Sequence, residues 1–279
     1  MLEEIITAGG TMLGVALVFG VILALANRFL RVEEDPRIDV VEEKLPGSNC
    51  GACGEPGCRA FAEKIVGLEV APSGCTVSSP EGIEAIARYL GVDAGERDKR
   101  VARLHCAGGR SSVLDLAPYE GLSTCRAAHV VGGGGRACAW GCLGLGDCVR
   151  SCTFDAIHMG PEALPIVSVD PCTACGDCVS ACPLDLLEIL PLSQEILVQC
   201  SSPLAGDAAR ASCAVACDAC GRCALDAPAG AIEMRAGLPV ILKPAQLDPS
   251  CTLRCPTSAI KQVVGGQFAI LEIRREEAS

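Results

Sequence analysis

The stretch 172-CTACGDCVSACP-183 decides the architecture of this chain. Its four cysteines are spaced C-x2-C-x2-C-x3-C, and Pro183 closes the run. Bacterial proteins hold 4Fe-4S clusters with this spacing, because three closely spaced thiolates occupy three corners of one cube and the fourth reaches a neighbouring cube. The run therefore predicts a second, matching run elsewhere in the chain.

The matching run lies just upstream in the stretched form C-x3-C-x5-C-x3-C, with Thr153 where the proline usually stands. Crossing the fourth ligands predicts two clusters of the ferredoxin type. One would be held by Cys138, Cys142, Cys148 and Cys182, and the other by Cys152, Cys172, Cys175 and Cys178. The alternative is structural zinc, but zinc ribbons hold their cysteine pairs about 12 to 20 residues apart and lack the C-x3-C-P ending.

A third group of cysteines lies nearer the N-terminus, in the spacing C-x2-C-x4-C-x16-C. It comprises Cys50, Cys53, Cys58 and Cys75. Phe61 and Ile65 would share one face of a helix that follows Cys58, so that this helix could bring the four cysteines around one cube. We expect a single 4Fe-4S cluster here, with a zinc-bound or metal-free knuckle as the alternative.

Residues 213–260 repeat the paired design in damaged form. The first triad is intact, but Ala227 takes the fourth position before Pro228, and Ala245 and Asp248 take the first two positions of the partner run. Crossed ligation then leaves one complete set and one with at most two ligands, too few to hold a cube. The complete set is Cys217, Cys220, Cys223 and Cys255. The sequence predicts one cluster in this segment.

Five cysteines remain outside these sets: Cys106, Cys125, Cys200, Cys213 and Cys251. Surplus thiols are usually buried as small hydrophobic side chains. As the alternative, Cys106, Cys125, Cys200 and Cys213 would close a further cube at the junction of the two paired units. The expected cofactors are thus four 4Fe-4S clusters, or five under this alternative.

Composition limits the class of protein. The 279 residues include 21 cysteines but only 3% aromatic residues, so clusters would supply part of the interior. An odd number of cysteines in cluster spacings argues against a secreted disulfide scaffold and for a reducing compartment. The formal net charge of −11 argues against nucleic acid as a partner.

The N-terminal segment differs from the rest of the chain. Residues 5–27 contain no charged side chain and are long enough to cross a bilayer, so we expect one transmembrane helix in contact with lipid. Acidic residues at 3–4 replace the basic start of a signal peptide, although residues 24–26 resemble a cleavage site and leave cleavage as an alternative. Arg28 and Arg31 predict that the cluster domains lie on the cytoplasmic side.

The expected fold class is α+β: one transmembrane helix, a small, mostly helical 4Fe-4S domain, then ferredoxin-like 4Fe-4S modules with short β-hairpins and helices. We read residues 33–44 as a solvated tether and the glycines at 132–135 as a flexible lead into the cluster loop. The predicted segments are an anchor at 1–35, an N-terminal cluster domain at 36–92, a connector at 93–135, a paired cluster domain at 136–192, a degenerate one-cluster domain at 193–265 and a tail at 266–279.

The order of features resembles one family. NCGACGEPGC, VARLHCAGG and GLSTCRAAHVVGGGGRACAWGCLGLGDCVRSCTFDAI resemble the B subunit of the Rnf/Rsx ion-translocating electron-transport complex. The resemblance implies a single-pass plasma-membrane subunit of an oxidoreductase that takes electrons from reduced ferredoxin and passes them toward flavin and nicotinamide subunits, while other membrane subunits move sodium ions or protons. Ala227, Ala245 and Asp248 depart from members with two complete cluster pairs.

No residue stands out as an acid, base or nucleophile, and no nucleotide-binding glycine pattern stands in a strand-loop-helix setting. The chain itself would therefore carry electrons, with the redox chemistry supplied by its cofactors. The alternatives are a membrane-tethered redox sensor and an electron feeder for a different enzyme.

Overall fold

The long N-terminal helix is the most apolar element of the structure, a computed structural model that describes residues 2–30, 35–95 and 99–268. This helix, α1, spans Leu2–Leu30, and its window Gly9–Ala26 has a mean hydropathy of 2.2 and no burial against other residues. By length and composition α1 could cross a membrane. Arg28 lies in its last turn, whereas Arg31 and the acidic residues 33–34 lie outside the described residues.

Three helices form a small N-terminal unit: α2 (Pro36–Lys44), α3 (Cys58–Val66) and α4 (Pro80–Leu90). Val41 of α2 is fully buried against Phe61 and Ile65 of α3. The tether predicted at 33–44 is therefore wrong for residues 36–44, because the apolar side chains of α2 recur at helical spacing and pack on α3. Its N-terminus is capped by the carboxylate of Asp35.

A nested pair of antiparallel sheets follows. The outer pair joins β1 (Arg100–Leu104) to β4 (Leu187–Pro191), and the inner hairpin joins β2 (Ile157–Met159) to β3 (Pro165–Val167). The short helices α5 (Cys125–Val130), α6 (Asp147–Arg150) and α7 (Asp177–Ala181) lie between these strands in the chain. Strand β1 falls within the predicted connector, and its Ala102 and Leu104 enter the core of this central unit.

The C-terminal unit repeats the nesting. Strand β5 (Ile196–Val198) pairs with β8 (Ile260–Gln262) around the hairpin β6 (Ile232–Arg235) and β7 (Leu238–Ile241). Its helices are α8 (Gly206–Ser212) and α9 (Arg222–Asp226). The chain then returns to the central unit, where the side-chain amide of Gln267 bonds both the N–H and the carbonyl of Leu104. Residues 269–279 of the predicted tail lie outside the described residues.

The four consecutive glycines form a hydrogen-bonded turn in place of the predicted flexible lead. All four have positive φ, and Gly133–Gly135 make a 3-10 turn. The Gly135 carbonyl accepts hydrogen bonds from the N–H groups of Leu116, at 2.7 Å, and Ala117, at 3.2 Å. A Cβ at Gly135 would overlap the Ala117 carbonyl, so glycine is required at this position.

Candidate metal centres

Two cysteine loops share one backbone conformation. In the loop from Cys172 to Cys178, φ is +60° at Ala174 and +91° at Gly176. In the loop from Cys217 to Cys223, φ is +61° at the equivalent Ala219 and +70° at the equivalent Gly221. A left-handed alanine costs roughly 1–2 kcal/mol, and such strain is concentrated at functional sites. In the first loop this conformation places the three thiols around one cavity, whereas in the second Cys217 and Cys223 are buried and Cys220 is exposed.

The N-terminal cysteines surround one cavity. Site 1 is lined by Cys50, Cys53, Cys58 and Cys75. The side chain of Asn49 fixes the start of α3 by accepting a hydrogen bond from the Cys58 N–H at 2.8 Å, and Phe61 lines the same cavity. The grouping is that of the sequence assignment, and cluster binding by these four cysteines stays a prediction.

Site 2 gathers the triad of the second run and the last cysteine of the first. It is lined by Cys152, Cys172, Cys175 and Cys178, the set that crossed ligation predicts. The Cys152 sulfur accepts a hydrogen bond from the Ala156 N–H at 3.3 Å. Ala102 of β1 and Ile189 of β4 close the apolar side of the cavity. Ligation at this site also stays a prediction.

The structure exchanges two cysteines relative to the sequence assignment. Site 3 is lined by Cys125, Cys142, Cys148 and Cys182. Site 4 is lined by Cys106, Cys138, Cys200 and Cys213. Cys138 was assigned with Cys142, and Cys125 with the dispersed cysteines, so each now takes the place of the other.

The backbone around Cys138 explains the exchange. Between Cys138 and Cys142 the chain bends at Gly141, which packs closely against the Cys138 sulfur, and the two thiols line different cavities. The Asp147 carboxylate accepts a hydrogen bond from the Arg126 N–H at 3.0 Å and ties the start of α5 to the start of α6. This contact brings Cys125 beside Cys148, a pairing that no local spacing indicates.

Site 4 forms where the two units meet. The Ala107 N–H donates to the Gln199 carbonyl at 3.0 Å, so that Cys106 after β1 and Cys200 after β5 lie side by side. An antiparallel bridge between Val113 and Cys213 brings in the fourth thiol. The cysteines of site 4 therefore come from both units.

Site 5 is the cysteine group of the C-terminal unit: Cys217, Cys220, Cys223 and Cys255. Cys255 acts electrostatically on both Cys217 and Cys223. The space that a second cluster of this unit would occupy is taken up by packed side chains. Cys251 is 1% exposed and packs in one core with Ala227 and Leu247. Asp248 instead caps a 3-10 turn, where its carboxylate accepts from the Ser250 N–H at 2.9 Å.

Burial dominates the electrostatics of the sites. It raises the pKa of the Cys142 and Cys178 thiols to about 12 and that of Cys148 to about 11, with smaller contributions from neighbouring thiols. At such pKa values these thiols are protonated at neutral pH, so that the binding of a metal here would release protons. Buried thiols with a raised pKa need a strongly positive partner, such as a metal, to be held as thiolates.

The geometry suits a cube better than a single ion. Tetrahedral zinc with bonds of about 2.3 Å would draw its sulfurs to about 3.8 Å from one another. Across the described ranges, no three His, Cys, Asp or Glu side chains converge closely enough to hold one metal ion, and all 21 cysteines are unpaired thiols. The donor sets thus fit four-iron clusters.

The five sites form a series. Cys53 of site 1 and Cys172 of site 2 line one cleft of about 710 Å³. Cys178 of site 2 and Cys148 of site 3 share a core. The Cys142 N–H of site 3 donates to the Cys106 sulfur of site 4 at 3.3 Å, and Cys200 of site 4 acts electrostatically on Cys217 of site 5.

Comparison with known proteins identifies the family. Residues 45–77, which include site 1, match the family described as "Putative Fe-S cluster". The chain is 39% identical over 269 residues to the B subunit of the proton-translocating ferredoxin:NAD(+) oxidoreductase complex of Clostridium ljungdahlii, with 95% of each chain covered. It is 36% identical over 268 residues to the B subunit of the ion-translocating oxidoreductase complex of Methanosarcina acetivorans, covering 94% of this chain and 99% of the relative. A sodium-translocating relative from Acetobacterium woodii is 39% identical over 217 residues, which cover 78% of this chain and 65% of the relative. The chain belongs to the family of B subunits of the Rnf ion-translocating ferredoxin:NAD oxidoreductase complexes.

Proposed function

We propose that this chain holds five 4Fe-4S clusters in ferredoxin-like modules and relays electrons from reduced ferredoxin toward the flavin and nicotinamide subunits of its complex. The observation that carries the proposal is the series of five four-cysteine groups, four of which each line one cavity. As a member of its family, the chain is an iron–sulfur electron-transfer subunit of a multi-subunit, ion-translocating membrane complex.

The residues of the chain have three tasks in this relay. When bound, clusters of this type accept and release single electrons at potentials that hydrogen bonds to sulfur and burial adjust. The cysteines hold them, and the apolar cores around Cys148, Cys178 and Cys223 keep water away. The N–H groups of Ala156 and Cys142 donate to the sulfurs of Cys152 and Cys106, which disperses negative charge.

Helix α1 would anchor the chain in the plasma membrane as a single span, with Arg28 and the cluster sites on the cytoplasmic side. The apolar window Gly9–Ala26 offers no charged group for an ion path, so the ion would cross through other subunits. The relatives differ in their named ion, a proton in one and sodium in another. Protease treatment of inverted and right-side-out vesicles tests the orientation, since cleavage after residue 35 in inverted vesicles alone is expected.

Iron and sulfide analysis after anaerobic reconstitution tests the cluster number. Five clusters predict about twenty irons per chain, whereas the four-cluster assignment from the sequence predicts about sixteen. Material that binds zinc in place of iron, or that contains no acid-labile sulfide, would refute the relay.

Paired serine variants test which cysteines act together. In our assignment Cys125 and Cys142 belong to one site, so Cys125→Ser combined with Cys142→Ser loses about four irons, the loss of either single variant. Cys138→Ser combined with Cys142→Ser loses about eight, because Cys138 belongs to the neighbouring site. The sequence assignment predicts a loss of about four irons for Cys138→Ser combined with Cys142→Ser, and of about eight for Cys125→Ser combined with Cys142→Ser only if its alternative fifth cluster forms.

A further inference from the structure

Thr173 carries a buried hydroxyl inside the cysteine loop of site 2. It lies between Cys172 and Cys175, and it lines the cavity that these two cysteines share with Cys152 and Cys178. Within the part of the chain that the structure describes, its Oγ1 atom is buried and has no hydrogen-bond partner. Removing a hydroxyl from water without giving it a partner is unfavourable, so this hydroxyl needs an acceptor.

Sulfur is the acceptor that lies nearest. Thr173 also lines the cleft between sites 1 and 2, but its buried Oγ1 does not reach the solvent there. Cysteines and apolar residues line most of the site 2 cavity, and the carboxylate of Asp177, an exposed residue at its edge, does not bond the Thr173 hydroxyl. Burial raises the pKa of the Cys175 thiol, whereas the Thr173 hydroxyl lowers it, as a donor close to that sulfur would.

The equivalent loop of site 5 provides a contrast. The two loops share one backbone conformation, so Thr173 corresponds to Asp218. The protein itself satisfies the Asp218 carboxylate: one oxygen accepts from the Cys220 N–H at 3.2 Å, and the other accepts from Nη1 of Arg210 at 3.1 Å. The conformation of the loop therefore does not by itself leave this position without a partner. At site 2 the hydroxyl remains for the group that the cysteines hold.

We propose that the Thr173 hydroxyl donates a hydrogen bond to a sulfur atom of the cluster held at site 2 and raises the reduction potential of that cluster. This inference rests on the proposed function, in which Cys152, Cys172, Cys175 and Cys178 hold one cluster. Four thiolates leave an iron–sulfur cube with a net negative charge, which grows on reduction. A hydrogen bond to sulfur is stronger when the sulfur carries more negative charge, so it stabilises the reduced form over the oxidised form.

The test is an anaerobic redox titration of the full-length, reconstituted protein, followed by EPR of the reduced clusters. Thr173→Val removes the hydroxyl and keeps the shape of the side chain, whereas Thr173→Ser keeps the hydroxyl. Thr252→Val is the matched control, because the Thr252 hydroxyl donates to the Pro249 carbonyl at 2.8 Å. In Thr173→Val the reduced-to-oxidised ratio of one component falls about three- to tenfold at a fixed potential, which is about 30 to 60 mV for a one-electron couple. Thr173→Ser and Thr252→Val leave every component in place.

A second background assigns the affected cluster. In a chain that carries Cys172→Ala and Cys178→Ala, site 2 keeps only two ligands, too few for a cube, so Thr173→Val no longer moves any remaining component. If Thr173→Val binds about four fewer irons while Thr173→Ser binds the full number, the dependence of site 2 on the hydroxyl is also supported.

Three results would overturn the proposal: no shift in Thr173→Val, an equal shift or an equal loss of iron in Thr173→Ser, or a shift that persists in the background without Cys172 and Cys178. A wild-type protein without iron and sulfide, or a Cys172→Ala, Cys178→Ala protein that retains every iron, would instead refute the proposed function.

Discussion

Substitution of Gly135 tests how the glycine turn positions Cys138. Gly135→Ala adds a methyl group that would overlap the Ala117 carbonyl oxygen and lie 3.0 Å from the Ala117 carbonyl carbon. Gly132→Ala is the matched control, because Gly132 has a similar φ of +82° but nothing within 4 Å of an added Cβ. The two variants therefore share the backbone strain and differ in the overlap alone.

The expected magnitudes follow from these contacts. Both variants bear the left-handed penalty of roughly 1–2 kcal/mol for an L side chain. In Gly135→Ala the chain must also move away from Ala117, and it then loses the hydrogen bonds from the N–H groups of Leu116 and Ala117 to the Gly135 carbonyl. At about 0.5–1.5 kcal/mol for each bond, the additional loss is about 1–3 kcal/mol.

The assay is anaerobic thermal unfolding of the iron-loaded protein at one fixed heating rate, together with iron analysis. Each kcal/mol corresponds to a fall in Tm of about 2–4 °C in a protein of this size. Gly135→Ala should therefore melt below Gly132→Ala by about 2–4 °C for each kcal/mol of its additional loss. It should also lose iron from site 4 first, since Cys138 follows the turn by three residues. Equal melting temperatures and full iron in both variants would refute an ordered role for the turn.

Two further substitutions test other parts of the structure. Val41→Ala should destabilise the N-terminal unit by about 2 kcal/mol, because Val41 is fully buried, whereas Val131→Ala, at a side chain 70% exposed, should change the Tm hardly at all. A Val41→Ala protein as stable as the control would restore the interpretation of residues 36–44 as a tether. Cys251→Ala should retain every iron of the wild type while Cys255→Ser loses about four, and iron analysis that shows the same loss in both would place a ligand at Cys251.

Short-range features of the sites could be predicted from the sequence. The loops of sites 2 and 5 have two residues between successive cysteines, and both loops adopt a left-handed conformation at the equivalent Ala174 and Ala219. The spacing itself encodes the local geometry in such loops, because three thiols on a tight turn have few ways to face one centre. The grouping of Cys50, Cys53, Cys58 and Cys75 has the same origin, with α3 as the rigid element.

Long-range features could not be predicted, since they depend on contacts between distant segments. Cys125 reaches site 3 through the hydrogen bond from the Arg126 N–H to Asp147, and nothing in the spacing of Cys138 and Cys142 shows that Gly141 turns the two thiols apart. Helix α2 was missed because its many charged residues mask a three-residue apolar face. The pairing of β1 could not be predicted because its partner β4 lies more than eighty residues away.

The junction between the two repeated units has an unusual construction that follows from these same contacts. Its apolar contacts form two small clusters, one with Val113, Ala209 and Ala216 as the main non-cysteine members and one of Leu190, Leu197 and Val263. Burial of so few methyl groups contributes little to holding two units together. Hydrogen bonds also cross the junction, among them Ala107 N–H to the Gln199 carbonyl and the side-chain amide of Gln267 to Leu104, and the four cysteines of site 4 meet there. If site 4 binds its cluster, the metal joins the two units directly, so that the step that links sites 3 and 5 for electrons also links the two folds mechanically.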